Sequence, residues 1–162
     1  MATPAESHIP DGLRTITPQL IFDGDCAAAV AFYQKAFGAT LCGPPVTGPD
    51  GQGVIHALLQ IGDSRLMMND AWPGGWEHGP VEGATAGLFL YVEDCDAAYA
   101  KAVAAGCEAM FPVSDMFWGD RTGKVKDPFG HCWVLATYKT VYTPEEIAAG
   151  QKAWMDSMKP AQ

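Results

Sequence analysis

The sequence predicts an α+β protein assembled from two copies of one strand–helix–strand–strand–strand (βαβββ) module, followed by a C-terminal helix. Three observations carry the prediction. The segments Leu20–Gly38 and Leu88–Gly106 share one grammar: a short apolar strand, an acidic cap, an Ala-rich helix and a closing glycine. Three glycine pairs repeat at one spacing (Gly38/Gly106, Gly51/Gly119, Gly62/Gly130), since 106 − 38 = 68 and the other two pairs differ by the same amount. Finally, Thr143-Pro144-Glu145-Glu146 reads as a helix start.

The chain up to residue 14 is polar, carries Pro4, Pro10, Asp11 and Gly12, and is expected to be a flexible tail. The first module spans about residues 15–70. Its strand at Leu20-Ile21-Phe22 leads through the acidic Asp23-Gly24-Asp25 into a helix ending at Gly38. Carboxylates suit a helix N-terminus, where orphan N–H groups need acceptors, and glycine suits the left-handed position after the last turn. Residues 71–85, with Trp72, Pro73, Gly74, Gly75 and Trp76, form a linker too rich in Gly and Pro for regular structure. The second module, about 86–140, repeats the plan. Gly62 and Gly130 each mark a tight turn into an apolar strand. Residues 141–162 form the terminal helix and tail. Thr143 is the N-cap, Pro144 fits the first helical position and Glu146 completes a capping box. The stripe Ile147, Trp154 and Met158, with Ala148 and Met155 beside it, packs on the body or on a second subunit.

Ten basic and nineteen acidic residues give a net charge of −9. Phosphate binding needs clustered Lys and Arg, so this balance argues against nucleic acid and against an anionic membrane surface. An acidic body can still attract a cationic small molecule. The five cysteines are odd in number and show no C-x-x-C spacing, as expected of small buried hydrophobes in a reducing cytoplasm. No secretory signal and no apolar run of transmembrane length is visible.

At this point the residues resemble a known group. Ile16–Phe22 with Ala31–Ala39, His56 with Ile61–Ser64, Leu90–Asp94, Trp118–Gly123 and Asp127–Trp133 resemble the vicinal oxygen chelate (VOC) superfamily, and within it the PhnB-like, or glyoxalase/bleomycin resistance protein-like, subgroup. The resemblance covers about Thr15 to Thr140 and implies two βαβββ modules forming a cupped mixed β-sheet with helices outside. It fixes a fold better than a reaction.

In catalytic members of that superfamily, the first and last strands of each module supply divalent-metal ligands. Carried across, the positions fall at Thr17, Pro18 or Gln19, between Arg65 and Met67, at Gly87 and at Val134. Gln19 is the only surviving candidate. A lone neutral amide holds a divalent ion poorly, so no metal cofactor is expected, unless a shifted site uses His56 or His131.

Other residues offer chemistry of their own. His56 opens an apolar strand, as a base or as a histidine bonded to backbone. His131 follows the turn Asp127–Gly130, as a ligand contact or an anchor of that turn. In Trp118-Gly119-Asp120-Arg121, the tryptophan offers a stacking surface and Arg121 a bidentate anion contact. Asp120 is either a base or the salt-bridge partner of Arg121. Trp72 and Trp76 close over a ligand or cover a core edge.

Two functions follow. The first is binding of a small organic molecule in the cup, without the usual metal, by Gln19, Trp72, Trp76, Phe89, Tyr91, Trp118 and Arg121. The alternative is an enzyme of isomerase, lyase or dioxygenase type acting on a small carbonyl or aromatic compound. It would use acid–base chemistry of His56, Asp120, Arg121 or His131, or a non-standard metal site. A cytoplasmic homodimer is expected in either case.

Overall fold

The computed structural model describes residues 5, 7–49 and 51–157. The chain divides into two compact units, Met1–Glu82 and Gly83–Gln162.

The first unit holds β1 (Gln19–Phe22), α1 (Cys26–Phe37), β2 (Thr40–Leu41), β3 (Val46–Thr47), β4 (Val54–Ile61) and β5 (Ser64–Asp70). Its sheet runs β1-β5-β4-β2, with β3 also on β4. β1 lies parallel to β5, and the remaining pairs are antiparallel. Pro44 and Pro45 separate β2 from β3, because proline donates nothing to a ladder and is confined to sheet edges. Helix α1 buries Cys26, Ala29, Val30, Tyr33 and Ala36, an i, i+3, i+4, i+7 stripe. Tyr33 meets Phe22 of β1 with ring centroids 6.3 Å apart, and Leu59 and Met68 of the sheet are fully enclosed.

The second unit holds β6 (Gly87–Tyr91), α2 (Cys95–Ala105), β7 (Glu108–Asp115), β8 (Asp120–Lys126), β9 (Cys132–Tyr138) and α3 (Pro144–Ser157). Its sheet runs β6-β9-β8-β7, with β6 parallel to β9. Pro112 sits on the edge strand β7, where the register slips on both sides of Phe111, a bulge that tolerates the missing donor. The two units thus share the expected strand–helix–strands plan, each built around one mixed sheet. From 71 to 86 there is neither helix nor strand.

Helix ends test the capping expectations. Asp94 caps α2 locally, its carboxylate accepting from Ala97 N at 3.0 Å. Asp25, in the corresponding place before α1, makes no such bond. There the acceptor is Asp70, whose Oδ1 takes Gly24 N and Cys26 N at 2.9 Å each. Gly38 ends α1 in the left-handed conformation (φ 69, ψ 25). The capping box of α3 forms in both directions, Thr143 N to Glu146 Oε2 at 2.8 Å and Glu146 N to Thr143 Oγ1 at 3.2 Å. Of its expected stripe, Ile147 is half-buried and Trp154 exposed; Met158 lies outside the described residues.

The repeat spacing holds for β1 and β6 but not for β5 and β9. Leu20 pairs with Met68, and Leu88 with Trp133. The first strands are therefore offset by 88 − 20 = 68 and the last by 133 − 68 = 65. The second hairpin is shorter overall: Met68 follows its partner Ala57 by 68 − 57 = 11 residues and Trp133 follows Val125 by 133 − 125 = 8, although Ile61 pairs with Ser64 across two residues and Lys126 with Cys132 across five. Asp127 organises that longer turn. It is 2% exposed and accepts from Phe129 N, His131 N and Trp133 Nε1.

Candidate functional site

Strand alternation sorts the second sheet into two faces. Arg121, Gly123, Leu135 and Thr137 face α2. Arg121 pairs with Asp96 of α2 through Nε–Oδ2 at 2.6 Å and Nη2–Oδ1 at 2.7 Å, and with Asp115 at 3.1 Å. A Cβ on Gly123 would press on the ring of Tyr99. Cys95 Sγ donates to the Leu135 carbonyl at 3.1 Å. The other face carries Phe89 and Tyr91 from β6, Val134 and Ala136 from β9, and Asp120 and Thr122 from β8.

Asp120 is the centre of that second face. It is 4% exposed, and its Oδ2 accepts from Trp118 Nε1 at 2.8 Å and from Tyr91 Oη at 3.1 Å. Tyr91 reaches it across β9, where its partner is Ala136, whose methyl leaves room for the ring, and Asp120 itself pairs with Tyr138. Partial desolvation, then the bond to Asp120 and its charge, raise the Tyr91 pKa above its ordinary 10.0, so the phenol stays a donor at neutral pH. Phe89 stands 6.1 Å from Tyr91, ring to ring. The two remain 55% and 59% exposed, an open aromatic surface beside a buried carboxylate.

Trp118 is fixed from behind. Phe117 meets it edge-on at 4.9 Å and rests in turn against Trp154 of α3 at 5.9 Å. Gly150 lets α3 approach this loop, since a Cβ there would meet Phe117. Gly119, between Trp118 and Asp120, has φ +105, and its carbonyl accepts from Lys139 N and Thr140 N.

The residues expected to act are thus only partly brought together. Trp118, Asp120, Tyr91 and Phe89 converge; the role of Tyr91 as a hydrogen-bond partner of Asp120 was not apparent from the sequence. Asp120 is not the salt-bridge partner of Arg121: adjacent on β8, the two point to opposite faces, and Arg121 is committed to Asp96 and Asp115. His131 is buried in the Asp127 turn, whose N–H it serves through the carbonyl at 2.9 Å. It precedes Cys132, the partner of Lys126, at the end of the hairpin opposite Asp120 and Tyr138. His56 is exposed on β4 and paired with Val46. Trp72 and Trp76 are 59% and 89% exposed in the segment after β5. Gln19 is exposed and donates from Nε2 to Asn69 Oδ1 at 2.6 Å, while Asn69 Nδ2 reaches Glu77 at 3.4 Å.

The strand registers also test the metal positions. Gln19 lies beside Met67, and Gly87 beside Cys132 rather than Val134. Taken unit by unit, neither an amide beside a thioether nor a thiol beside a glycine makes the oxygen and imidazole set that a hard divalent ion requires. Among the described residues no three His, Cys, Asp or Glu side chains gather as a metal group.

Comparison with known proteins agrees with this architecture. The sequence profile described as Glyoxalase/Bleomycin resistance protein/Dioxygenase superfamily matches residues 14–135. An uncharacterized protein of Mycobacterium bovis is 39% identical over 146 residues, covering 87% of this chain and 94% of that one. The X-ray structure of an Arabidopsis thaliana gene product superposes with a TM-score of 0.62 at 30% identity, covering 76% of this chain and 98% of that chain. The PhnB protein of Bacillus cereus has the same fold, with a TM-score of 0.62 at 20% identity over 76% of this chain and 99% of its own. No described helix is long and apolar enough to cross a membrane.

Proposed function

The chain belongs to the glyoxalase/bleomycin resistance protein/dioxygenase superfamily, and on that premise we propose that it binds a small organic molecule on the Asp120 face of its second sheet, without the divalent metal used by catalytic relatives. One observation carries the reading: exposed Phe89 and Tyr91 adjoin a buried carboxylate and a half-buried indole held in place by hydrogen bonds and ring contacts. A largely apolar surface with a few fixed polar groups is the usual make-up of a small-molecule site. The donor set at the family's metal positions supports the metal-free part of the proposal. The five free cysteines fit a cytoplasmic location, and the exposed Trp154 and Met155 of α3 offer a surface for a homodimer.

A titration of intrinsic tryptophan fluorescence with a panel of aromatic acids, amines and antibiotics tests the reading. A saturable change in the wild type that is lost in Trp118→Ala, and weakened in Tyr91→Ala, supports it. A panel without effect, or binding unchanged in both variants, overturns it.

One observation favours catalysis as a second reading. Tyr91 Oη donates to Asp120 Oδ2 at 3.1 Å, which sets a phenol and a carboxylate side by side for acid–base chemistry on a small carbonyl or aromatic compound. Turnover abolished by Tyr91→Phe, with binding retained, distinguishes it from binding alone.

A further inference from the structure

We propose that the ligand of this face is an organic ammonium compound with an aromatic or apolar body, its charged nitrogen held by Asp120 Oδ1. The inference rests on the reading of the face as a small-molecule site and adds the chemical class of the occupant.

Asp120 uses only half of its acceptor capacity. Both donors that reach it, Trp118 Nε1 and Tyr91 Oη, fall on Oδ2. No described donor falls on Oδ1. Among the described residues no fully buried side-chain oxygen lacks a partner, so this free Oδ1 keeps contact with solvent. A carboxylate can accept at both oxygens, about four lone-pair sites in all, so one side remains for an incoming donor.

Among the described residues no cation forms an ion pair with Asp120. The two bonded donors are neutral. Arg121, next along the chain, faces α2 and is occupied by Asp96 and Asp115. Lys126 is paired with Glu108. Lys124 shares the Asp120 face but stands four residues along β8, roughly 13 Å away at about 3.3 Å per residue. A carboxylate this enclosed is costly without an opposite charge, and a bound cation would supply it.

The surroundings select an organic cation over a bare metal ion. The indole N–H and phenol O–H donate to Oδ2 in their ring planes, so these hydrogen bonds do not use the π faces. Ring faces attract ammonium groups, and Phe89 extends the aromatic surface to receive the rest of the molecule. A metal ion would want several oxygen ligands, whereas the ring neighbours of Asp120 here contribute none but the Tyr91 hydroxyl. The net charge of −9 favours the approach of a cation.

Calorimetric titration of the full chain with three probes of similar shape tests the proposal: 2-phenylethylamine as its ammonium, 2-phenylethanol and 3-phenylpropanoate. The ammonium is expected to bind at least about tenfold tighter than the alcohol, with the carboxylate weakest, because hydrogen bonds between charged partners are stronger than those to a neutral donor. Asp120→Asn, which keeps the shape, should reduce the ammonium–alcohol preference to about twofold or less. Equal binding of ammonium and alcohol, or a preference for the carboxylate, overturns the cation while leaving the face as a ligand site. Absence of binding by all three probes, together with a compound panel that leaves Trp118 fluorescence unmoved, overturns the site itself. The wild-type probe series decides the matter even if Asp120→Asn does not fold.

Discussion

Asp120 and Arg121 are neighbours on β8, yet one holds the aromatic face together and the other clamps α2 to the back of the sheet. The Arg121 guanidinium holds the Asp96 carboxyl below its ordinary 3.8. A depressed folded-state value gives stability that is present above the unfolded value and is lost as pH falls through the folded one. Urea midpoints measured from about pH 6 down to about pH 2 should therefore show wild type above Asp96→Asn near neutrality, with the two converging in acid. The pair is solvent-exposed, so the gap should shrink in about 1 M salt. Parallel curves at all pH values would contradict the clamp.

Asp70 accepts three backbone N–H groups, from Gly24, Cys26 and Val54. Removing a capping carboxylate costs about 0.5–2 kcal/mol, and orphaning a further donor adds to it. Asp70→Ala should lose about 2–3 kcal/mol in denaturant unfolding. Asp25→Ala, at the position without a cap bond, should lose under about 0.5 kcal/mol. Equal losses would refute the assignment.

Two glycines with positive φ should differ in tolerance. Gly38 (φ +69) has open space where a side chain would stand, so Gly38→Asn should cost no more than about 1 kcal/mol. At Gly119 (φ +105) a Cβ would overlap the carbonyl oxygen of Thr140. Gly119→Ala should cost more than about 2 kcal/mol and also disturb Trp118 fluorescence. Thermal melts and emission spectra of the two variants check this.

The thiols should separate by burial. Burial pushes Cys26 and Cys107 up to about 12 and raises Cys95 as well, while Cys42 is exposed and Cys132 half-buried. A disulfide reagent at about pH 8 should label Cys42 at once and Cys132 slowly, leaving the other three until denaturant is added. Fast labelling of Cys26 in the native protein would contradict the placement.

Local signals were the legible ones. Glycines with positive φ, the Asp94 cap and the Thr143–Glu146 box depend on residues a few positions apart, and each forms as its spacing predicts. Relationships across strands were not legible. Asp25 looked like the cap of α1, but the acceptor comes from β5. Asp120 and Arg121 looked like a pair, but alternation separates them. Tyr91 reaches Asp120 because Ala136 lies between, which requires knowing that β6 pairs with β9. The constant glycine spacing concealed a second hairpin three residues shorter than the first, so Met68 of β5 corresponds in register to Trp133 of β9 and not to Ala136.

The cap of α1 bears on the order in which the first unit folds. Helix α2 carries its own acceptor and can start on its own sequence. Helix α1 has its acceptor 44 residues downstream, on β5, which pairs with both β1 and β4. The early-synthesised helix is thus capped only when the last strand of its unit is in place, and Asp70 ties the start of α1 and the start of β4 to the end of β5.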